Sequence, residues 1–413
     1  MAISKADLTT VTHVVHFSLA PQANGTLNVA NYGLTPSISS NFVSYVHGKG
    51  KTALICVGGA GSELGFRACT ASGNLNSFVT SLLSFVSTNH YDGVDIDWEP
   101  LLAQDVQQYT NFIAALRSGL NQFSPVGLLT VAAPAYPDYS DPPTAVFDAF
   151  ASIQNDFDQI NIMTYDLSGP YGGWVTWFNS PIVNGGFVFP SDPAEEAPSI
   201  NAAVTNFTSQ GVAPGKLAIG IPFYGYVWGG TGLTQPRESW VSTPTFNGAT
   251  YDTIISNYYT AKDYHWDTVA QASYLSITNA HASNDMFISY EDATACTAKV
   301  ADAQALGLGG LMVWELSQDY STGHPLMGAI DNAVRATVPP AAPVILTVGI
   351  HGTNINFTFS TVASGKYRVQ YSTDLSAWHT LVNTLTGSGS PLFVADTNGL
   401  GATARYYRIK VLP

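Results

Sequence analysis

At roughly 100–200 residues per domain, a chain of 413 residues is one large domain with an attachment, or two to three ordinary domains, and not a single small module. Charged side chains make up 11% of it, against a hydrophobic fraction of 46% and 12% aromatics, which excludes a disordered chain. With 29 acidic and 15 basic side chains the net charge is −14, so nucleic acid and anionic membranes are poor partners, and a neutral polar ligand that stacks on aromatic rings is expected instead.

Taken in order, residues 1–12 carry Lys5 and Asp7 without an apolar core and are not expected to be a signal peptide. No run reaches the roughly 18 apolar residues of a membrane span. Few lysines and many Asn, Ser and Thr are expected of a secreted, extracellular bacterial protein read without its leader. Short β-branched runs at 11–17, 53–57, 93–97, 128–133, 159–163, 217–221 and 310–314 read as strands with helix-length stretches between them. In 75–88, Leu75, Phe78, Val79, Leu82, Leu83 and Val86 follow the three-and-four spacing of a helix with one buried face, and Val106, Tyr109, Phe112, Ile113, Leu116 and Leu120 do so in 103–120. Strands alternating with helices over this length fit an α/β fold of the (β/α)8 barrel type with one strand unaccounted for. The interval 223–290, rich in Tyr, Trp, Gly and Asn, is too long for one crossover and reads as an inserted α+β unit on the rim of a barrel spanning 1–337. Residues 338–343, with Pro339, Pro340 and Pro343, form a semi-rigid linker. Beyond it, short alternating runs at 345–350, 354–360, 366–372, 378–385, 392–396 and 404–411 predict a fibronectin-III-like β-sandwich over 344–413, with Trp378 in its core.

Three cysteines, Cys56, Cys69 and Cys296, with no C-x-x-C pair leave neither a disulfide framework nor a zinc site, and the scattered histidines add no metal-ligand spacing. The glycines from Gly58 to Gly65 follow a strand, but the last stands one residue too late for a dinucleotide loop. Neither a metal nor another cofactor is expected.

The informative segment is Tyr91-Asp92-Gly93-Val94-Asp95-Ile96-Asp97-Trp98-Glu99-Pro100. On a strand, Asp95, Asp97 and Glu99 share one face and Val94, Ile96 and Trp98 the other. Three carboxyls in one row cannot all ionise near neutrality, so at least one pKa rises and a proton is shared, which suits acid catalysis. Glu99, last in the row, stands at the C-terminal end of the strand, where barrel enzymes hold their chemistry. Asp92 lies off the row and reads as structural. No calcium-loop pattern accompanies the aspartates.

Asp92-Gly93-Val94-Asp95-Ile96-Asp97-Trp98-Glu99 resembles the D-G-x-D-x-D-W-E signature of glycoside hydrolase family 18, the chitinases. His16-Phe17-Ser18-Leu19-Ala20, Val57-Gly58-Gly59, Met163-Thr164-Tyr165-Asp166, the run from Gly220 to Gly225 and the run from Gly309 to Trp314 match in the family's order and extend the resemblance over nearly all of 11–330. The resemblance implies hydrolysis of β-1,4 bonds next to N-acetylglucosamine in chitin and its oligosaccharides, with retention through the substrate's own acetamido group. Glu99 would be the acid and base, Asp97 would orient the acetamido group, Asp95 would share a proton with Asp97, and Tyr165 would hydrogen-bond the acetamido oxygen. Trp314 would floor the sugar site and Met163 and Asp166 would shape it. Phe17, Trp98, Tyr224, Trp174 and Trp177 are further candidates for the sugar chain, and Tyr226, Trp228 and Trp266 for stacking. A monomer is expected. A non-catalytic lectin of the same fold and an endo-β-N-acetylglucosaminidase are the alternatives. Two departures stand out: the family's first strand has no counterpart, and Cys56 replaces a serine expected to steady Asp95.

Overall fold

The computed structural model describes residues 3–138, 141–320, 322–337, 342–362, 365–401 and 404–412, in two compact units, Met1–Val334 and Arg335–Pro413. In the first unit the β-branched runs become parallel strands and the amphipathic stretches become the helices outside them. The order is β1 (His13–Pro21), α1 (Pro36–Gly48), β2 (Thr52–Gly59), α2 (Glu63–Thr70), α3 (Leu75–Asn89), β3 (Gly93–Trp98), α4 (Val106–Leu120), β4 (Leu128–Ala133), α5 (Ala145–Ile153), β5 (Gln159–Ile162), α6 (Ile200–Thr208) and β6 (Leu217–Pro222). Local chemistry sets the helix ends. Thr35 caps α1 by accepting from Ile38 N–H at 3.2 Å, with Pro36 in its first turn, and His90 closes α3 in the left-handed region at φ 60°.

After β6 the chain builds an antiparallel sheet before returning. Its strands are β7 (Tyr224–Gly229), β8 (Thr245–Thr250), β9 (Tyr264–Asp267), β10 (Ala272–Ile277) and β11 (Met286–Tyr290), in the order β8-β7-β11-β10-β9, with α7 (Tyr251–Asn257) between β8 and β9. Then α8 (Ala293–Ala305), β12 (Gly310–Trp314) and α9 (Pro325–Thr337) follow. The seven runs read as strands are the seven parallel strands of one sheet, ordered β12-β6-β5-β4-β3-β2-β1, with the short piece Leu27–Asn28 antiparallel on the end of β1.

Among the described residues no ladder joins β1 to β12. The sheet nevertheless curls far enough for its two edges to touch, since the rings of Phe17 and Trp314 lie 4.9 Å apart, edge to face. Burial follows from this geometry. All six residues of the central β3 are buried, whereas Val15 on β1 is 40% exposed and β12 is only half-buried along its length.

The second unit holds β13 (Ile345–His351), β14 (Asn354–Phe359), β15 (Lys366–Ser372), β16 (His379–Thr386), β17 (Leu392–Asp396) and β18 (Tyr406–Leu412). They form two antiparallel sheets, β13-β14-β17 and β16-β15-β18. The sheets enclose Phe357, Phe359, Tyr367, Val369 and Val394, and Phe357 meets Tyr407 across the core at 5.0 Å between rings. Trp378 is not in that core, contrary to the sequence expectation. It is half-buried just ahead of β16, with its ring over the guanidinium of Arg408 at 4.2 Å. Of the Pro-rich stretch, residues 338–341 lie outside the described residues.

Candidate active site

Strand β3 carries the carboxyl row. Parallel pairing sets Asp95 between Cys56 on β2 and Thr130 on β4, and Asp97 beside Gly58. Only glycine fits at 58: its φ is +113°, and a β-carbon there would stand 1.9 Å from the carbonyl oxygen of Asp97. The loop after β2 holds the end of the row, because the Ser62 hydroxyl donates to Asp97 O at 3.2 Å and accepts from Glu99 N–H at 3.3 Å. Asp92, off the row, accepts from Ala53 N–H at 2.7 Å and meets His47 Nε2 at 2.8 Å, tying β2 and α1 to the start of β3.

Along the row, exposure and environment change in step. Asp95 and Asp97 are each 6% exposed, and Glu99 is half-buried at the C-terminal mouth. Burial pushes the Asp95 carboxyl up to about 6, opposed by hydrogen bonds from Thr130 and Cys56, the former at 2.5 Å. Asp97 is raised first by burial and then by the charges of Glu99 and Asp95. Glu99 is raised chiefly by burial, with a further push from Asp166. Asp97 therefore feels Glu99 as well as Asp95, the neighbour with which the sequence reading has it share a proton. Thr130, a hydroxyl from the neighbouring strand, already serves Asp95, while one Asp97 oxygen, Oδ1, is buried without a partner.

The other side of the mouth comes from the segment after β5. Tyr165 is 9% exposed, with its hydroxyl 3.8 Å from Met312 Sδ, and its ring lies where a β-carbon at Gly220 would stand 2.6 Å away. Burial and the negative charges of Asp97, Glu99, Asp166 and Asp95 all hold its phenol protonated. Asp166, at φ 58°, is exposed, and its Oδ1 accepts from both Tyr224 at 2.6 Å and Tyr226 at 2.7 Å. Met163 is half-buried beside this segment. Phe17, midway along β1, and Trp314, the last residue of β12, complete the aromatic rim.

Two proposed sugar contacts are overturned. Trp98 is 2% exposed because it points away from the row into the helix layer, stacked on Phe66 with ring centroids 4.6 Å apart and planes 5° apart. Strand alternation put it opposite the carboxyls, and that same alternation removes it from the groove. Trp177 is fully buried in the insert core and donates to Pro198 O at 2.9 Å. Trp228 is likewise fully buried, which removes it from the stacking candidates. Trp174 is half-buried, with one face on Phe189 at 4.4 Å and Tyr171 against it at 5.0 Å.

Sequence reading missed the residues that hold the mouth in shape. Asn179 accepts from Asp166 N–H at 2.8 Å and donates to Tyr224 O at 3.3 Å, and its own N–H donates to the Ser289 hydroxyl at 2.7 Å. Ser180 donates to Thr164 O and accepts from the fully buried Lys299, whose ammonium also meets Glu291 at 2.5 Å. Thr130 was the one with a legible signal, a hydroxyl at an inward position of an apolar strand. The cysteines are free and buried.

This architecture has known counterparts. Residues 2–319 match the family described as glycosyl hydrolases family 18. The chain belongs to that family. Among curated proteins, Chitinase A1 of Niallia circulans is 31% identical over 294 residues, covering 64% of this chain and 40% of its own length. Chitinase 1 of Aphanocladium album is 28% identical over 296 residues, covering 68% of this chain and 66% of its own. The chain thus spans from two fifths to about two thirds of these relatives. Among solved structures, the Group IV chitinase of Ostrinia furnacalis superposes with a TM-score of 0.69 at 21% identity, covering 81% of this chain and 94% of that one. A chitinase-like agglutinin from Robinia pseudoacacia superposes with a TM-score of 0.66 at 22% identity, covering 81% and 95%. At such identities these structures speak for the fold, and the site has to speak for the chemistry.

Proposed function

We propose that this protein hydrolyses β-1,4 linkages between N-acetylglucosamine units in chitin and chitooligosaccharides, with retention and with the substrate's acetamido oxygen as nucleophile. The observation that carries the reading is the row of Asp95, Asp97 and Glu99 on one face of the buried strand β3, running out to the mouth together with the buried Tyr165. Glu99 keeps its proton because it is desolvated, and gives it to the glycosidic oxygen as the bond breaks. As that proton leaves, Asp97 is free to accept from the acetamido N–H, its unpartnered Oδ1 being ready for it, and to stabilise the positive ring that forms. Asp95, its carboxyl raised to about 6, is protonated below that pH and there spares Asp97 a second negative charge. Tyr165 donates to the acetamido oxygen, and Glu99 then takes a proton from water. Trp314, Phe17, Tyr224, Met163 and Asp166 line the sugar site. We read the sheet as a (β/α)8-type barrel open between β1 and β12, and the protein as a monomeric, secreted bacterial enzyme, in keeping with its acidic, lysine-poor composition.

The names of the curated relatives support the substrate. The agglutinin, with the same fold, shows why the acid has to be tested directly. Hydrolysis of N-acetylglucosamine oligomers of graded length, with analysis of the anomers released, is the deciding assay. Release of the β-anomer first, with no cleavage of glucose oligomers, is the expected outcome. Binding without turnover would turn the protein into a lectin, and cleavage of glucose oligomers would remove the acetamido group from the mechanism.

A further inference from the structure

The second unit departs from the rest of the chain in charge. Residues 344–413 hold five basic side chains, Lys366, Arg368, Arg405, Arg408 and Lys410, against two acidic ones, Asp374 and Asp396, while the remainder holds ten basic against 27 acidic. Four of the five basic residues stand together. On β15, Tyr367 and Val369 point into the core, so Lys366, Arg368 and Gln370 face outward, and on β18 Tyr407 and Ile409 face the core, so Arg408 and Lys410 face outward. Antiparallel pairing sets Arg368 directly opposite Lys410, and Gln370 opposite Arg408.

Like charges directly opposite on neighbouring strands destabilise a sheet, and among the described residues no carboxylate of the unit pairs with these. Asp374 Oδ1 accepts from the N–H groups of Ser376 and Ala377 and from the Ser372 hydroxyl. Asp396 is 1% exposed and is taken by Arg405 and Tyr407. The partners that the outward cations do have are neutral: Thr386 Oγ1 for Lys366, Asn383 O for Arg368 and Gln370 Oε1 for Arg408. Beside them stands an aromatic plane, since the Trp378 ring lies over Arg408 and is half-buried rather than in the core.

We propose that this outer face of β15 and β18 is a docking surface for a carboxylated polysaccharide, a polyuronate. Guanidinium groups grip carboxylates, and a flat indole offers the apolar face of a sugar ring its contact, a pairing of charge and aromatic plane that a charge-only partner does not use. The surface is distinct from the carboxyl row and independent of the hydrolytic reading.

The test is retention of the full chain on immobilised polygalacturonate at low ionic strength, with soluble N-acetylglucosamine oligomers as a control substrate for the first unit. Wild type should be retained and released by salt. The triple change Arg368→Gln, Arg408→Gln and Lys410→Gln should weaken retention about tenfold, as expected for three exposed charge contacts, with oligomer hydrolysis unchanged. Lys410→Glu, which puts an acid opposite Arg368, should abolish retention while raising the melting temperature, so a folding defect cannot pass for a loss of binding. Trp378→Ala should weaken retention without changing its salt dependence. A wild type that is not retained, or a triple variant retained as well as wild type, overturns the proposal. Tighter retention on duplex DNA, inorganic polyphosphate or phosphatidylglycerol vesicles than on polygalacturonate overturns it too.

Discussion

Burial raises the carboxyls of both Glu99 and Asp97, and the chemistry turns on Glu99 giving up its proton at the mouth. Glu99→Gln keeps the shape and removes the acid. It should cut turnover by about 10²–10⁴-fold while oligosaccharide affinity persists, measured as kcat beside an equilibrium Kd; a variant above a tenth of the wild-type rate would place the acid elsewhere. Asp95 makes a second, thermodynamic prediction. Its carboxyl stands near 6 in the fold against 3.8 unfolded, so the native state binds the extra proton. Its stabilising contribution is therefore complete below about pH 4 and is lost as pH rises through 6. Thr130→Val removes the hydroxyl that favours the ionised form and should move this loss to higher pH, whereas Asp95→Asn should abolish it. Urea denaturation from pH 4 to 8, read as the difference from wild type, isolates the group from the paired carboxylates elsewhere, whose pH dependence runs the other way.

Elements meet at the mouth through buried side chains that bridge them. Asn179 joins the Asp166 segment, β7 and β11, and it is fully buried. Asn179→Ala should destabilise by about 1–3 kcal/mol for each backbone group left without a partner, and should lower kcat/KM on oligosaccharides beyond what the loss of folded protein explains. Lys299 on α8 and Glu291 after β11 form an ion pair with side chains 0% and 4% exposed. Burial raises the Glu291 carboxyl and Lys299 draws it back. Lys299→Met leaves that carboxylate alone in low dielectric and should cost about 3–5 kcal/mol, whereas Lys299→Met with Glu291→Leu should recover most of it, both read by chemical denaturation.

The whole molecule separates chemistry from the C-terminal sandwich. Every residue of the carboxyl row and its rim lies within Met1–Val334. Residues 1–337 expressed alone should therefore hydrolyse soluble oligosaccharides with the kcat/KM of the full chain. A large loss would mean that residues 344–413 contribute to the site.

Much of this was legible in the sequence because it depends on periodicity. Alternation along Asp95, Asp97 and Glu99 fixes a shared face wherever the strand lies, and the spacing of Leu75, Phe78, Val79 and Leu82 fixes a helical one, so seven strands, their helices and the carboxyl row could be read from local pattern alone. Partners across the sheet could not, because register is set by strands far apart in sequence. Thr130 reaches Asp95, Asn179 reaches Asp166, Lys299 reaches Ser180, and none of these pairs shares a local motif. Aromatic residues split the same way: composition shows that they are abundant, and alternation turns Trp98 away from the carboxyls, but only packing decides that Trp177 is core while Phe17 and Trp314 meet. Residue type and spacing thus determined what chemistry the chain carries. The tertiary structure alone decided which hydroxyl, amide and carboxylate stand close enough to tune it, since hydrogen bonds and desolvation act over a few ångströms of space and not along the chain.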